Sequence, residues 1–213
     1  MPTFRLNGSR LLEVDISGES FKALNGSMVA YDGQVEFKRQ GMTGGGGGIR
    51  GAIKRKVAGE SVTLMDCVGT GTVYVANEAQ EITLIQMAGD TLFVESDNLL
   101  ALETSLQTDV KFTGFTGATT GQGLATTTVN GQGTVAITTD GPAIALEVGP
   151  GMPVCVDPQA YVAHKGQLQQ QFIRDMNWRM AIGEGTGEAF QIRFDGQGVV
   201  YIQPAERRGG IDI

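Results

Sequence analysis

One histidine, two cysteines and a few close-set carboxylates are the groups in this chain that could move protons or hold a metal. A metal centre needs several His, Cys or carboxylate groups converging on one point. His164 is the only histidine, which excludes a His-cluster centre of the kind found in many double-stranded β-helix enzymes. A Ser-His-Asp triad could draw only on His164, and the Gly-x-Ser-x-Gly turn that presents such a serine is missing. His164 therefore reads as a structural residue, at the surface or partly buried. Cys67 and Cys155 have no metal-type spacing and read as two free thiols in or near the core, with a disulfide or a nucleophilic cysteine as the alternatives. Glu13 and Asp15 are two residues apart, on one face of a strand. That spacing suits a solvated or edge-protecting pair better than acid–base catalysis. Gly-x-Gly-x-Val occurs at Gly69, Gly131 and Gly196. It lacks the third glycine and the long following helix of a dinucleotide fingerprint, and no Gly-Lys-Ser/Thr phosphate loop occurs. The expectation is a protein with no catalytic, cofactor-binding or metal-binding residues, and no enzyme.

The elements that carry these residues must come from 213 residues that are 41% apolar and 18% charged, the balance of a folded domain. Glycine supplies 32 of them. A net charge of −7 argues against binding a nucleic-acid backbone as the main task. The start, Met-Pro-Thr-Phe-Arg-Leu, has no basic segment leading into an apolar one, and no apolar run approaches a bilayer span. These features predict a soluble, cytoplasmic protein.

Internal spacing reveals repetition. Glycine, eleven residues, then alanine occurs as Gly18–Ala30, Gly89–Ala101 and Gly151–Ala163. Three residues after each glycine comes Phe21, Leu92 or Val154, and before each alanine comes Val29, Leu100 or Val162. The second and third copies are offset by 62 throughout, and Gly69 to Gly131 is also 62. The first and second copies are offset by 71, and the nine extra residues fall in the segment holding Gly44 to Gly48. The third Gly-x-Gly-x-Val lies near the C-terminus and the first Gly-x11-Ala near the N-terminus. Pairing the terminal strands would complete a third unit and close a quasi-threefold arrangement without open sheet edges.

The repeated segments alternate or are β-branched, as in Ser61–Met65, Thr72–Val75, Glu81–Ile85, Thr134–Thr138, Gln191–Phe194 and Val199–Ile202. With Asn130-Gly131 and Asp195-Gly196 as tight turns, they predict short antiparallel hairpins, about six strands per unit. The predicted fold class is all-β: a single domain of three repeats, residues 1–58 completed by 187–213, then 59–120 and 121–186. At most one short helix is expected, at Ile49–Val57, where Ile49, Ile53 and Val57 fall at i, i+4, i+8.

Met28-Val29-Ala30-Tyr31-Asp32-Gly33, the glycine-rich loop leading to Ile53-Lys54-Arg55, Gly59-Glu60-Ser61, Gly69-Thr-Gly71-Thr-Val73 and the ending Phe194–Pro204 carry a resemblance. Together they resemble the mitochondrial-biogenesis "altered inheritance of mitochondria" family (number twenty-four), over nearly the whole chain. The resemblance implies repeated β modules similar to the tryptophan RNA-binding attenuation protein (TRAP-like), packed about a pseudo-threefold axis. The family's mitochondrial member is tied to inner-membrane organisation. This chain shows no targeting segment, so that role is not carried over. RNA binding is not carried over either, because the basic cluster from Gly41 to Arg55 has no aromatic residue beside it.

The loop Gly44, Gly45, Gly46, Gly47, Gly48, Ile49, Arg50, Ile53, Lys54, Arg55, Lys56 is the most distinctive segment and the predicted partner-contact site. Its isoleucines could insert into a neighbouring subunit while its four cations meet acidic groups. A single short apolar stripe is a weak membrane anchor, so a homo-oligomer or another protein is expected ahead of a lipid surface. The predicted function is a non-enzymatic β scaffold for protein interaction or self-assembly. The alternative is a small-ligand or nucleic-acid binding module of the tryptophan-attenuation type.

Overall fold

Alternation of apolar and polar residues, broken at particular glycines, dominates the architecture of the computed structural model, which describes residues 1–39, 63–113, 124–174 and 190–205. Thirteen strands lie among the described residues, every pairing between named strands being antiparallel. The only helical element among them is one 3-10 turn, Ser96–Asn98. The all-β expectation holds. The predicted helix at Ile49–Val57 lies outside the described residues.

The chain falls into two compact units, residues 1–139 and 140–213. In the first, β1 (Thr3–Leu6), β2 (Leu12–Leu24), β3 (Met28–Tyr31), β4 (Gln34–Arg39) and β5 (Leu64–Val75) precede β6 (Glu81–Glu95), β7 (Leu99–Glu103), β8 (Gln107–Thr113) and β9 (Leu124–Thr139). β5 pairs along its length with β2 on one side and with β3 and β4 on the other. β9 is flanked in the same way by β6 and by β7 and β8. β2 also pairs with β7, and β1 with β2. The second unit holds β10 (Ile144–Val148), β11 (Val154–Val156), β12 (Tyr161–Arg174) and β13 (Phe190–Ile202). Here β13 is central, with β12 on one side and β10 and β11 on the other.

Three sequence expectations need correction. The strands are longer and fewer than six short ones per unit: β9 runs 16 residues and β13 runs 13. Asn130-Gly131 and Asp195-Gly196 are not turns but lie inside these strands, so Gln191–Phe194 and Val199–Ile202 are parts of one strand. At Gly196, as at Gly69 and Gly71 of β5, glycine lets neighbouring backbones approach closely. A Cβ on Gly69 or Gly71 would overlap the carbonyl oxygen of Gln34 or Asp32, and one on Gly196 or Gly198 that of Gln167 or Lys165. The predicted pairing of the terminal strands is also replaced. β1 takes β2 as its partner, and β13 takes β10, β11 and β12. Antiparallel partners close by in sequence carry less loop-closure entropy than a head-to-tail pair.

The Gly-x11-Ala spacing has a physical cause. Gly18-Glu19 stands as a bulge where the register of β2 against β5 jumps from Ser17/Thr70 to Ser20/Val68. Gly89-Asp90 does the same where β6 jumps from Ala88/Gln132 to Thr91/Asn130. Gly18 and Gly89 have φ of 92° and 95°, which only glycine adopts without strain. The next carboxylate accepts a backbone hydrogen bond in each: Ser17 N–H to Glu19 at 2.6 Å, Ala88 N–H to Asp90 at 3.0 Å. A bulge shifts the period of two by one residue. Buried Leu12, Val14 and Ile16 are therefore followed by buried Phe21 and Ala23, and buried Ile85 and Met87 by buried Leu92 and Val94. The alanine marks a second irregularity: the register skips Val29, Leu100 and Val162, the residue before each alanine.

These strands build a first-unit core from Leu12, Val14, Ile16, Phe21, Met65, Cys67, Val73 and Val75 of β2 and β5, with Leu100 and Ala101 of β7 against them. Phe4 meets Phe21 edge to face at 5.8 Å. In the second unit Val156, Tyr161, Val162, Ile192, Phe194 and Val200 are buried.

Candidate protein-interaction edge

Strand β3 reads Met-Val-Ala-Tyr and is stitched to β5 through Met28/Val75, Ala30/Tyr74 and Tyr31/Val73. Its sequence is apolar, as a buried strand's would be, yet Val29 is 61% exposed and Tyr31 49% exposed. Tyr31 is held by Phe37 of β4, ring to ring at 5.2 Å and 70°. The Asp32 carboxylate accepts the Thr72 N–H at 3.1 Å and fixes the corner after the strand. The positions 71 residues on, Leu100 and Leu102 of β7, are fully buried. Val162 and His164, a further 62 on, are buried too. One strand edge thus presents to solvent the residues whose counterparts are covered elsewhere.

The other candidate residues have structural employment. His164 of β12 is 5% exposed. Its Nδ1 lies 2.7 Å from the Tyr161 hydroxyl, and its ring is 5.0 Å from Phe194. Burial pushes its pKa down to about 4, so the ring is neutral at physiological pH. Cys67 is buried in β5, and burial with the nearby Asp66 carboxylate raises its thiol to about 12. Cys155 corrects the expectation of a core thiol: it is free but exposed, on β11. It stands opposite Arg193, whose guanidinium is paired with Asp195 at 2.7 Å. Glu13 and Asp15 face Arg5, which approaches Asp15 at 2.7 Å and Glu13 at 3.7 Å. The contact loop predicted from sequence, Gly44 to Gly48, Ile49, Arg50, Ile53, Lys54, Arg55 and Lys56, lies outside the described residues. Among the described residues no three His, Cys, Asp or Glu side chains gather as metal ligands. No helix among them is long and apolar enough to cross a membrane.

Residues 4–205 match the family described as mitochondrial biogenesis AIM24. The chain belongs to that family. The crystal structure of protein SPYM3_0169 from Streptococcus pyogenes is similar over 97% of this chain and 94% of that one, with a TM-score of 0.74 and 24% identity. At that identity the likeness is one of fold. No curated protein matches the chain.

This AIM24-family chain also buries a polar belt that its sequence does not announce. Glu95, Ser96, Asn98, Thr126, Thr127 and Thr128 are all nearly inaccessible. Ser96 and Thr127 share a hydroxyl hydrogen bond of 2.9 Å, and the Asn98 amide donates to the Thr138 carbonyl at 2.6 Å. Glu103, opposite Phe21 on β2, accepts the Thr134 N–H at 2.8 Å. The sequence signal was the Thr126-Thr127-Thr128 run, which reads as an exposed strand until the 3-10 turn and β6 close over it.

Proposed function

We propose that this AIM24-family chain is a non-enzymatic β scaffold of three related modules, and that it associates with protein through the outer edge of β3. The observation that carries the reading is the exposure of Val29 and Tyr31 at positions whose counterparts Leu100 and Leu102 are fully buried. Apolar surface of this kind gains about 25 cal/mol per Å² on being covered, and a protein partner covers it. The groups that could do chemistry support the same reading: His164 and Cys67 pack in the interior, and the glycine motifs allow close approach of neighbouring strands. The loop at 44–56 is a second contact element on sequence grounds, with its four cations on an acidic chain. Sedimentation velocity on the wild type, Val29→Lys and Tyr31→Lys tests the edge. Association of the wild type that weakens at least tenfold in both variants, with melting temperature unchanged, is the expected result. A wild type that stays a single chain at all concentrations, with variants indistinguishable from it, would overturn the reading.

A further inference from the structure

Three Asn-Gly pairs occur in the chain, at Asn7-Gly8, Asn25-Gly26 and Asn130-Gly131. Such a pair carries its own reaction. The glycine backbone nitrogen attacks the asparagine Cγ, the bond from Cγ to the side-chain nitrogen breaks, and ammonia leaves a five-membered succinimide. Water opens that ring at one carbonyl to give aspartate, or at the other to give isoaspartate, which inserts an extra carbon into the main chain. Glycine favours the attack because no Cβ shields its nitrogen. The backbone must also be free to swing that nitrogen onto Cγ, and the fold decides which pair has this freedom.

Asn130 lies inside β9 with Thr91 and Gln107 opposite it, and its Oδ1 accepts the Thr91 hydroxyl at 2.6 Å. Asn25 sits in a tight turn closed by the Ser27 N–H on the Leu24 carbonyl at 3.1 Å. Its own N–H donates to the Thr63 carbonyl at 2.8 Å, and its Oδ1 accepts Arg39 Nε at 3.1 Å. Both are held in place on either side. Asn7 to Arg10 instead form an exposed bend between β1 and β2, where a Cβ on Gly8 would meet nothing within 4 Å.

Glu13 sets what the modification does. The Asn7 side-chain amide donates to Glu13 Oε1 at 2.5 Å, and the Glu13 side chain is only 19% exposed. Conversion replaces that donor with a carboxylate, so an attraction becomes a repulsion between two anions that water screens weakly. Arg5 is already engaged by Asp15 and Glu13. The offsets of 71 and 62 carry Asn7 to Glu78 and Asp140, so an acidic residue is accepted at the corresponding positions. They carry Glu13 to Leu84 and Leu146, so only at Asn7 would the acid meet this second carboxylate. The strand beside it, β1, is four residues long, a length that opens readily, and its Phe4 covers Phe21.

We infer that Asn7-Gly8 is a site of spontaneous deamidation, and that the carboxylate formed beside Glu13 releases β1 from β2 and uncovers Phe21. Ageing the purified wild type at neutral pH, followed by peptide mass analysis and isoaspartyl methyltransferase labelling, tests the site. Asn7 should convert at least tenfold faster than Asn25 and Asn130. Conversion no faster than at those two overturns the assignment. Hydrogen exchange tests the release: amides of residues 3–6 should exchange at least tenfold faster in the aged protein and in Asn7→Asp than in fresh wild type. Asn7→Asp/Glu13→Gln should return them toward the wild-type rate. Exchange that is unchanged in aged protein, or that Glu13→Gln does not relieve, overturns the release through Glu13. Asn7→Gln keeps an amide and lengthens its reach, so its β1 should hold through the same ageing. Equal loosening in that variant would place the cause elsewhere.

Discussion

His164 gives the chain a built-in dependence on acid. Its ordinary pKa of 6.5 falls to about 4 in the fold, because burial beside Tyr161 and Phe194 disfavours the charged ring. The unfolded chain therefore binds a proton between pH 6.5 and 4 that the folded chain refuses. The stability contributed by keeping the ring neutral is complete above pH 6.5 and is lost as the pH falls toward 4. With one pKa unit equivalent to 1.36 kcal/mol, the loss amounts to about 2 kcal/mol at pH 5 and about 3 kcal/mol at its limit. The assay is urea unfolding followed by far-UV circular dichroism between pH 7.5 and 5, on the wild type and His164→Gln. His164 is the only histidine, so no other imidazole shares the window. The surface carboxylates of Glu19, Glu36, Glu81 and Asp195 are held below their ordinary values by the N-terminal ammonium, Lys38, Ser9 and Arg193. Their contributions fade below that range. The wild type should lose about 2 kcal/mol more than the variant between pH 7.5 and 5. Parallel profiles for the two proteins, or a His164 imidazole titrating near 6.5 by NMR, would refute the argument.

Two further outcomes follow from the same geometry. Cys67, buried and raised to about 12, should resist Ellman's reagent at pH 8 until denaturant is added, while exposed Cys155 is modified first; early loss of both thiols in the native protein would contradict this packing. Gly71→Ala should destabilise the fold by about 3 kcal/mol or more, because its new methyl meets the Asp32 backbone, whereas Gly133→Ala meets mainly the side chains of Ser105 and Glu103 and should cost less. Thermal melts of the two variants compare them, and equal losses would show that the close backbone approach is not the cause.

The sequence by itself determined the strand content and the shared spacings of 71 and 62 residues. Alternation made β the only reading, and the shared offsets located the positions that the structure turns into bulges. It even held the parity change across Gly18, from Leu12-Val14-Ile16 to Phe21-Ala23, which a closer reading of the alternation would expose as a bulge. What only the tertiary structure decided was where glycine turns the chain and where it lets neighbouring strands approach closely. Asn130-Gly131 has the local chemistry of a hairpin, yet it sits inside β9, because partners on both sides hold the strand extended there. Exposure was equally undecidable from composition. Val29 and Leu100 occupy matching positions and look alike in sequence, but Leu100 is packed in the core formed by β2 and β5 and Val29 faces solvent. Burial is a property of what another segment brings to a side chain, and local sequence does not carry that information.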